Sequence, residues 1–305
     1  MIIQWYPGHM TKAKRQMQED LKLIDLVIEL VDARVPLSSR NPDIDEMAKG
    51  KSRLILLNKC DLADDTYTQI WKQYFEDKGF AVCAINSLKG NEVRKIQEPV
   101  QEVCAEKIER DRRRGIKNRP VRAMITGIPN VGKSTFINTF SRKGAAKTGN
   151  RPGVTKGKQW IRLSNTLELL DTPGILWPKF EDQNVGIKLA MIGSIKDEIL
   201  NTEELALELI RMMSQLYPGA LEEYYGLATP SMDRCDSEVG SCDSAISSKD
   251  PSHVSGPADA MMLEKIAIAR GCIGKGGTVD YARASNILLE NFRNGKIGRF
   301  TLDRI

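Results

Sequence analysis

The chain has 305 residues, 41% of them hydrophobic and 28% charged, with a formal net charge of +5. That balance excludes a disordered or collagen-like polymer and fits a large soluble domain with a smaller one. The six cysteines lack C-x-x-C spacing, no apolar run suits a membrane span, and the N-terminus carries neither an apolar signal core nor an Arg- and Ser-rich leader, so a reducing, cytoplasmic setting is expected.

Residues 1–22 open with Trp5-Tyr6-Pro7-Gly8-His9-Met10 and continue into a basic helical stretch, with Thr11 as the expected N-cap. By position alone, His9 is a surface histidine in a turn. Apolar strands follow at 26–31, the last residues before Asp32-Ala33-Arg34, and at 53–57 and 80–85; residues 42–49 and 65–78 have helical character. Near-continuous apolar strands alternating with helices predict a mainly parallel α/β sheet covered on both faces. Ligands then bind beyond the carboxyl ends of its strands.

The second strand runs into Asn58-Lys59-Cys60-Asp61, an N-K-x-D motif. A carboxylate at Asp61 can accept hydrogen bonds from the ring imino and exocyclic amino groups of guanine, a donor pair that adenine lacks. The Lys59 stem can lie over the base, and Asn58 can tie loops together. The third strand ends in Asn86-Ser87-Leu88-Lys89-Gly90, similar to an S-A-K loop but with Leu88 where that motif has alanine. Residues 92–114 read as one long helix bent at Pro99. Its basic end, Arg110 to Arg122 with Asp111 as the single acid, is either a solvated helix end or a phosphate-backbone contact.

After a short strand at Val121–Thr126 comes Gly127-Ile128-Pro129-Asn130-Val131-Gly132-Lys133-Ser134, then Thr135, which fits G-x-x-x-x-G-K-[ST]. Successive backbone N–H groups in such a loop cradle phosphates, aided by the positive end of the following helix. Lys133 would reach the β- and γ-phosphates and the Ser134 hydroxyl would bind Mg²⁺. Residues 142–162 carry seven basic residues and no acid, and Thr155 is the switch threonine that would join Mg²⁺ only while a γ-phosphate is present. A hairpin at 159–163 and 167–170 leads to Asp171-Thr172-Pro173-Gly174. Asp171 would stand near the metal's outer coordination sphere, and the Gly174 N–H would meet the γ-phosphate.

These are the parts of a GTPase in the wrong order, because N-K-x-D and the Ser87 loop precede the phosphate loop. With the W-Y-P-G-H-M opening, G-I-P-N-V-G-K-S and D-T-P-G-I, the chain resembles the bacterial ribosome biogenesis GTPase A family, which is YlqF-type and circularly permuted. The resemblance covers most of 1–227 and, more loosely, 258–305. It implies GTP hydrolysis to GDP and phosphate in late large-subunit assembly, and a C-terminal helical domain that contacts ribosomal RNA. Ile175 stands where conventional GTPases carry a water-positioning glutamine, so intrinsic hydrolysis should be slow and stimulated by the ribosomal particle. The resemblance gives that role to His9. It also marks Asn130 as the asparagine of potassium-activated GTPases, making K⁺ a further ligand.

Residues 203–226 show helical periodicity, 228–257 form a Ser-, Asp-, Pro- and Gly-rich insertion, and helical signals return at 258–270 and 279–293. The expected architecture is a permuted P-loop GTPase domain at 1–190 and a small all-α RNA-binding domain at 191–305. The catalytic set is His9, Lys133, Thr155 and Gly174. The nucleotide set is Asn58, Lys59, Cys60, Asp61, Asn86, Ser87, Asn130, Val131, Gly132, Lys133, Ser134, Thr135 and Gly174. Ser134, Thr155 and Asp171 serve Mg²⁺, and Asn130 serves K⁺. The expected partner is a large-subunit precursor, with no DNA and no membrane span. A GTP-dependent regulator of another RNA or protein and a P-loop nucleotide kinase are the alternatives; a kinase would need an acceptor site and lid in place of the guanine motif.

Overall fold

Leu26–Asp32 is buried along its whole length, as a strand covered on both faces has to be. In the computed structural model it is β1, at the centre of a six-stranded sheet of order β3-β2-β1-β4-β6-β5. The structure describes residues 9–116, 119–141, 159–171, 182–227 and 256–305, with backbone only at 9–14, 159 and 171. The other strands are β2 (Ser52–Asn58), β3 (Ala81–Ile85), β4 (Val121–Thr126), β5 (Gln159–Arg162) and β6 (Leu167–Asp171). All neighbours run parallel except β5, which forms an antiparallel hairpin with β6.

Helix α1 (His9–Asp20) starts two residues before the expected cap, so Thr11 lies within its first turn; helix ends shift by this much between criteria. Next come α2 (Asp43–Met47) and α3 (Asp65–Asp77). The Asp64 carboxylate caps α3 by accepting from the Thr66 and Tyr67 N–H groups. Trp71 and Phe75 of α3 pack against Val31, Ile55 and Leu57 on one face of the sheet. The single bent helix expected at 92–114 is instead α4 (Gly90–Lys95), α5 (Gln97–Val103) and α6 (Ala105–Arg113). Pro99 sits in the first turn of α5, where a missing N–H costs nothing.

Helix α7 (Lys133–Ser141) follows β4, and α8 (Gln183–Met191) follows β6. Helices α9 (Thr202–Leu216), α10 (Ala220–Tyr225), α11 (Pro257–Ala269) and α12 (Tyr281–Arg293) complete the described α-helices. Asn201 caps α9 through the Glu203 and Glu204 N–H groups, and Leu205, Leu209 and Met213 form its buried stripe. The sheet resolves into a compact unit extending to Leu200, and Asn201–Asn291 form a second, helical unit. The division thus falls ten residues beyond the expected 190/191 boundary. Phe292–Ile305 cluster with the sheet unit rather than the helical one, because this tail lies on the loops that follow β1 and β2. The Leu302 N–H donates to the Arg34 carbonyl at 2.7 Å, and the Asp303 carboxylate accepts from the Leu37 and Ser38 N–H groups at 2.8 Å. Among the described residues no helix is long and apolar enough to cross a membrane.

Candidate functional site

Parallel pairing brings the carboxyl ends of β1, β2, β3, β4 and β6 to one edge of the sheet. Asp32, Asn58, the Asn86 loop, the phosphate loop and Asp171 are therefore neighbouring strand exits, although the chain spreads them over more than a hundred residues.

The phosphate loop leaves β4 and closes at the start of α7. Gly132 has φ +104°, and a Cβ there would stand 2.5 Å from the Asn58 side-chain nitrogen. Only glycine meets both the left-handed backbone and that close approach. Val131 is buried, and Lys133 opens α7. The Lys133 ammonium donates to the Gly127 and Ile128 carbonyls at 3.0 and 2.9 Å. Ser134 and Thr135, half-buried, complete the first turn.

Asn58, 1% exposed, joins three loops. Its amide donates to the Val131 carbonyl at 2.7 Å, and its oxygen accepts from the Ser87 N–H at 3.0 Å and the Ser87 hydroxyl at 2.7 Å. Lys59 has left-handed backbone, φ 60°, and its ammonium donates to the Asn130 carbonyl at 3.0 Å. The alkyl stem is thereby stretched from the base motif toward the phosphate loop. Cys60 is half-buried, while Asp61 is exposed. Asn86 is buried and accepts from the Leu88 N–H at 2.8 Å, and the Leu88 side chain is 76% exposed.

Sequence reasoning assigned no role to Asp32 and Arg34, which stand behind Lys59. The Arg34 fork holds the Asp32 carboxylate with two bonds of 2.8 Å, and the Lys59 ammonium lies 3.0 Å from it. Burial alone pushes the Asp32 carboxyl up, but Arg34 and Lys59 outweigh it and hold the group well below the usual carboxylate range. Removing either partner of such a buried pair costs about 3–5 kcal/mol. The only signal in the sequence was an acid at the carboxyl end of an apolar strand.

Asn130 also has left-handed backbone, φ 59°, and its amide donates to the Gly193 carbonyl at 2.7 Å, just past α8. Arg293 caps the end of α8, donating to the Ala190 and Met191 carbonyls at 2.8 and 2.9 Å. Of the predicted residues, His9 is described only as the first residue of α1 and Asp171 only as the last of β6. Thr155, Gly174 and Ile175 lie outside the described residues, as does most of the predicted insertion. Among the described residues no group of three or more His, Cys, Asp or Glu could hold a metal. A Mg²⁺ bound largely through phosphate oxygens, water and one hydroxyl requires none.

With this geometry in place, a family described as 50S ribosome-binding GTPase matches residues 122–219. Ribosome biogenesis GTPase A of Bacillus cereus is 47% identical over 304 residues, covering 99% of this chain and 94% of that protein. The chain belongs to the ribosome biogenesis GTPase A family. The namesake from Priestia megaterium is 48% identical over 305 residues, covering 99% and 97%. The GNP-bound YlqF of T. maritima superposes with a TM-score of 0.63 at 26% identity, covering 96% of this chain and 98% of that one. In this member of the family the permuted motif order and the sheet edge therefore go together.

Proposed function

We propose that this chain is a GTP-hydrolysing switch that binds a precursor of the large ribosomal subunit in the cytoplasm and promotes a late step of its assembly. The observation that carries the site is Asn58, whose one side chain ties the phosphate loop to both base-side loops. A phosphate group and a guanine bound at one sheet edge would be read by a single connected unit.

The residues present suit the nucleotide. Lys133 already lies inside the loop on two carbonyls, and a phosphate oxygen is a stronger partner for its charge. Asp61 stands open to receive the guanine donor pair, with Lys59 fixed beside it. Ser134 is the hydroxyl for Mg²⁺, with Thr155 and Asp171 completing the set. A bound Mg²⁺ neutralises the charge that builds on the phosphate oxygens. Thr155 and Gly174 would sense the γ-phosphate, so that hydrolysis loosens both switches. Asn130 would add K⁺.

Ile175 can neither orient nor polarise water, and His9 takes that task in this proposal. His9→Ala should leave GTP affinity unchanged and lower particle-stimulated turnover about a hundredfold. Normal turnover on the particle would return His9 to a surface histidine, and equal rates in KCl and NaCl would remove K⁺ from the site.

The surface supports a polyanionic partner. Arg119 shares Asp25 and Asp111 with Lys107, and Arg122 pairs with Glu168. Arg112 and Arg113, 76% and 77% exposed, pair with Glu109 among the described residues. Exposed pairs of that kind are weak enough to yield to phosphate. Association with large-subunit particles should therefore fall steeply with salt and should require a non-hydrolysable GTP analogue rather than GDP. Co-sedimentation across a salt series reads both. Salt- or nucleotide-indifferent association would overturn the ribosomal switch and leave a regulator of some other partner.

A further inference from the structure

The loop that carries Asp61 is short and exposes that residue to solvent, yet three of its carbonyls are held by residues 299–300. The Arg299 guanidinium donates to the Cys60 carbonyl and, through Nε, to the Ala63 carbonyl, each at 3.0 Å. The Phe300 N–H donates to the Leu62 carbonyl between them at 3.1 Å. The Thr301 hydroxyl accepts from the Asp64 N–H at 3.3 Å. Gly295 comes so close that a Cβ would stand 2.6 Å from Leu62, and its φ of +68° already calls for glycine. The same fork is clamped by both oxygens of Asp65, the first residue of α3.

Asp61 lies inside a single 3-10 turn, Cys60–Leu62, so its direction depends on how that turn is anchored. On the opposite side Lys59 is anchored by Asp32 and Arg34. The tail reaches that anchor too, through Leu302 N–H on Arg34 and the Thr301 hydroxyl on the Ala33 carbonyl. A pair such as Arg299 with Asp65, 45% and 75% exposed, would contribute little by charge alone. A planar fork that also satisfies the Cys60 carbonyl at the start of the turn and the Ala63 carbonyl just past its end fixes that turn in place.

We propose that Arg299 is a positioning residue for guanine selection, holding the Cys60–Leu62 turn so that the Asp61 carboxylate meets the base. The role presupposes the guanine site proposed above.

The test is the ratio of inosine diphosphate to GDP dissociation constants for the full chain, with ADP measured alongside. Inosine lacks the exocyclic amino group, so the ratio isolates one of the two bonds to Asp61. The wild type should prefer GDP over both. Arg299→Ala should lower the inosine-to-guanosine ratio about fivefold, the worth of roughly one well-aligned hydrogen bond. Arg299→Lys, which can keep one carbonyl but not two, should recover part of it. A wild type that binds ADP as well as GDP would overturn the guanine site itself. A wild type that discriminates, with Arg299→Ala within twofold of its ratio, would overturn the positioning role even if thermal stability dropped. Should Arg299→Ala fail to fold, a wild-type ratio in Arg299→Lys would overturn it equally.

Discussion

Lys133→Ala should lower GTP hydrolysis by about a thousandfold, the scale on which one lost transition-state contact is felt at an enclosed site. The ammonium is the only cation that the phosphate-loop sequence supplies, and its two bonds to the Gly127 and Ile128 carbonyls keep it within the loop. Alanine also deletes those bonds, at about 1 kcal/mol each. Thermal unfolding of the variant therefore has to be read beside its turnover. The charge effect predicts a folded protein with lost chemistry. Turnover within tenfold of wild type would remove Lys133 from the catalytic set.

Asp61→Asn should weaken GTP by about 2 kcal/mol, roughly thirtyfold, because a charged acceptor facing two donors is replaced by an amide that offers one. The same amide can pair with the extra carbonyl of xanthine, so affinity for xanthosine triphosphate should rise. Asp61 suits the experiment because its side chain is exposed whereas Asn58 and Asp32 are buried. The substitution therefore disturbs recognition with little effect on folding. Competition titrations of the two nucleotides decide it, and unchanged GTP affinity would exclude Asp61 from the base site.

Much of this architecture could be read from residues 26–31, 53–57 and 121–126, whose apolar runs demand cover on both faces. Glu29 is the fully buried charge in those runs. It is 1% exposed in the central strand, made tolerable by Arg40 and Arg53 at 3.0 and 2.9 Å. No local signal announces partners eleven and twenty-four residues away. The phosphate loop and N-K-x-D were readable because their chemistry depends on fixed local spacing. Arg299 was not, since its meaning comes from carbonyls more than two hundred residues earlier. The split at Ile96 and Cys104 escaped for a related reason: Pro99 signals an interruption, but which side of it breaks is decided by packing. The tail's place with the sheet unit likewise follows from Asp303, one acid among forty acidic residues in the sequence. Only the fold shows it bonded to Leu37, Ser38 and Lys188.

The pairing of Leu26 with Ala123 also orders events while the chain is being made. Strands β1, β2 and β3 lie within the first eighty-five residues and are joined by short crossovers, so they can assemble as soon as they emerge. The second neighbour of β1 arrives only with β4, and the phosphate loop with it. Arg299 and Phe300, which bind the Cys60, Leu62 and Ala63 carbonyls, come later still. A chain still on the ribosome thus holds three strands of the sheet before its phosphate loop exists, and the loops that Asn58 ties together can meet only once β4 has emerged.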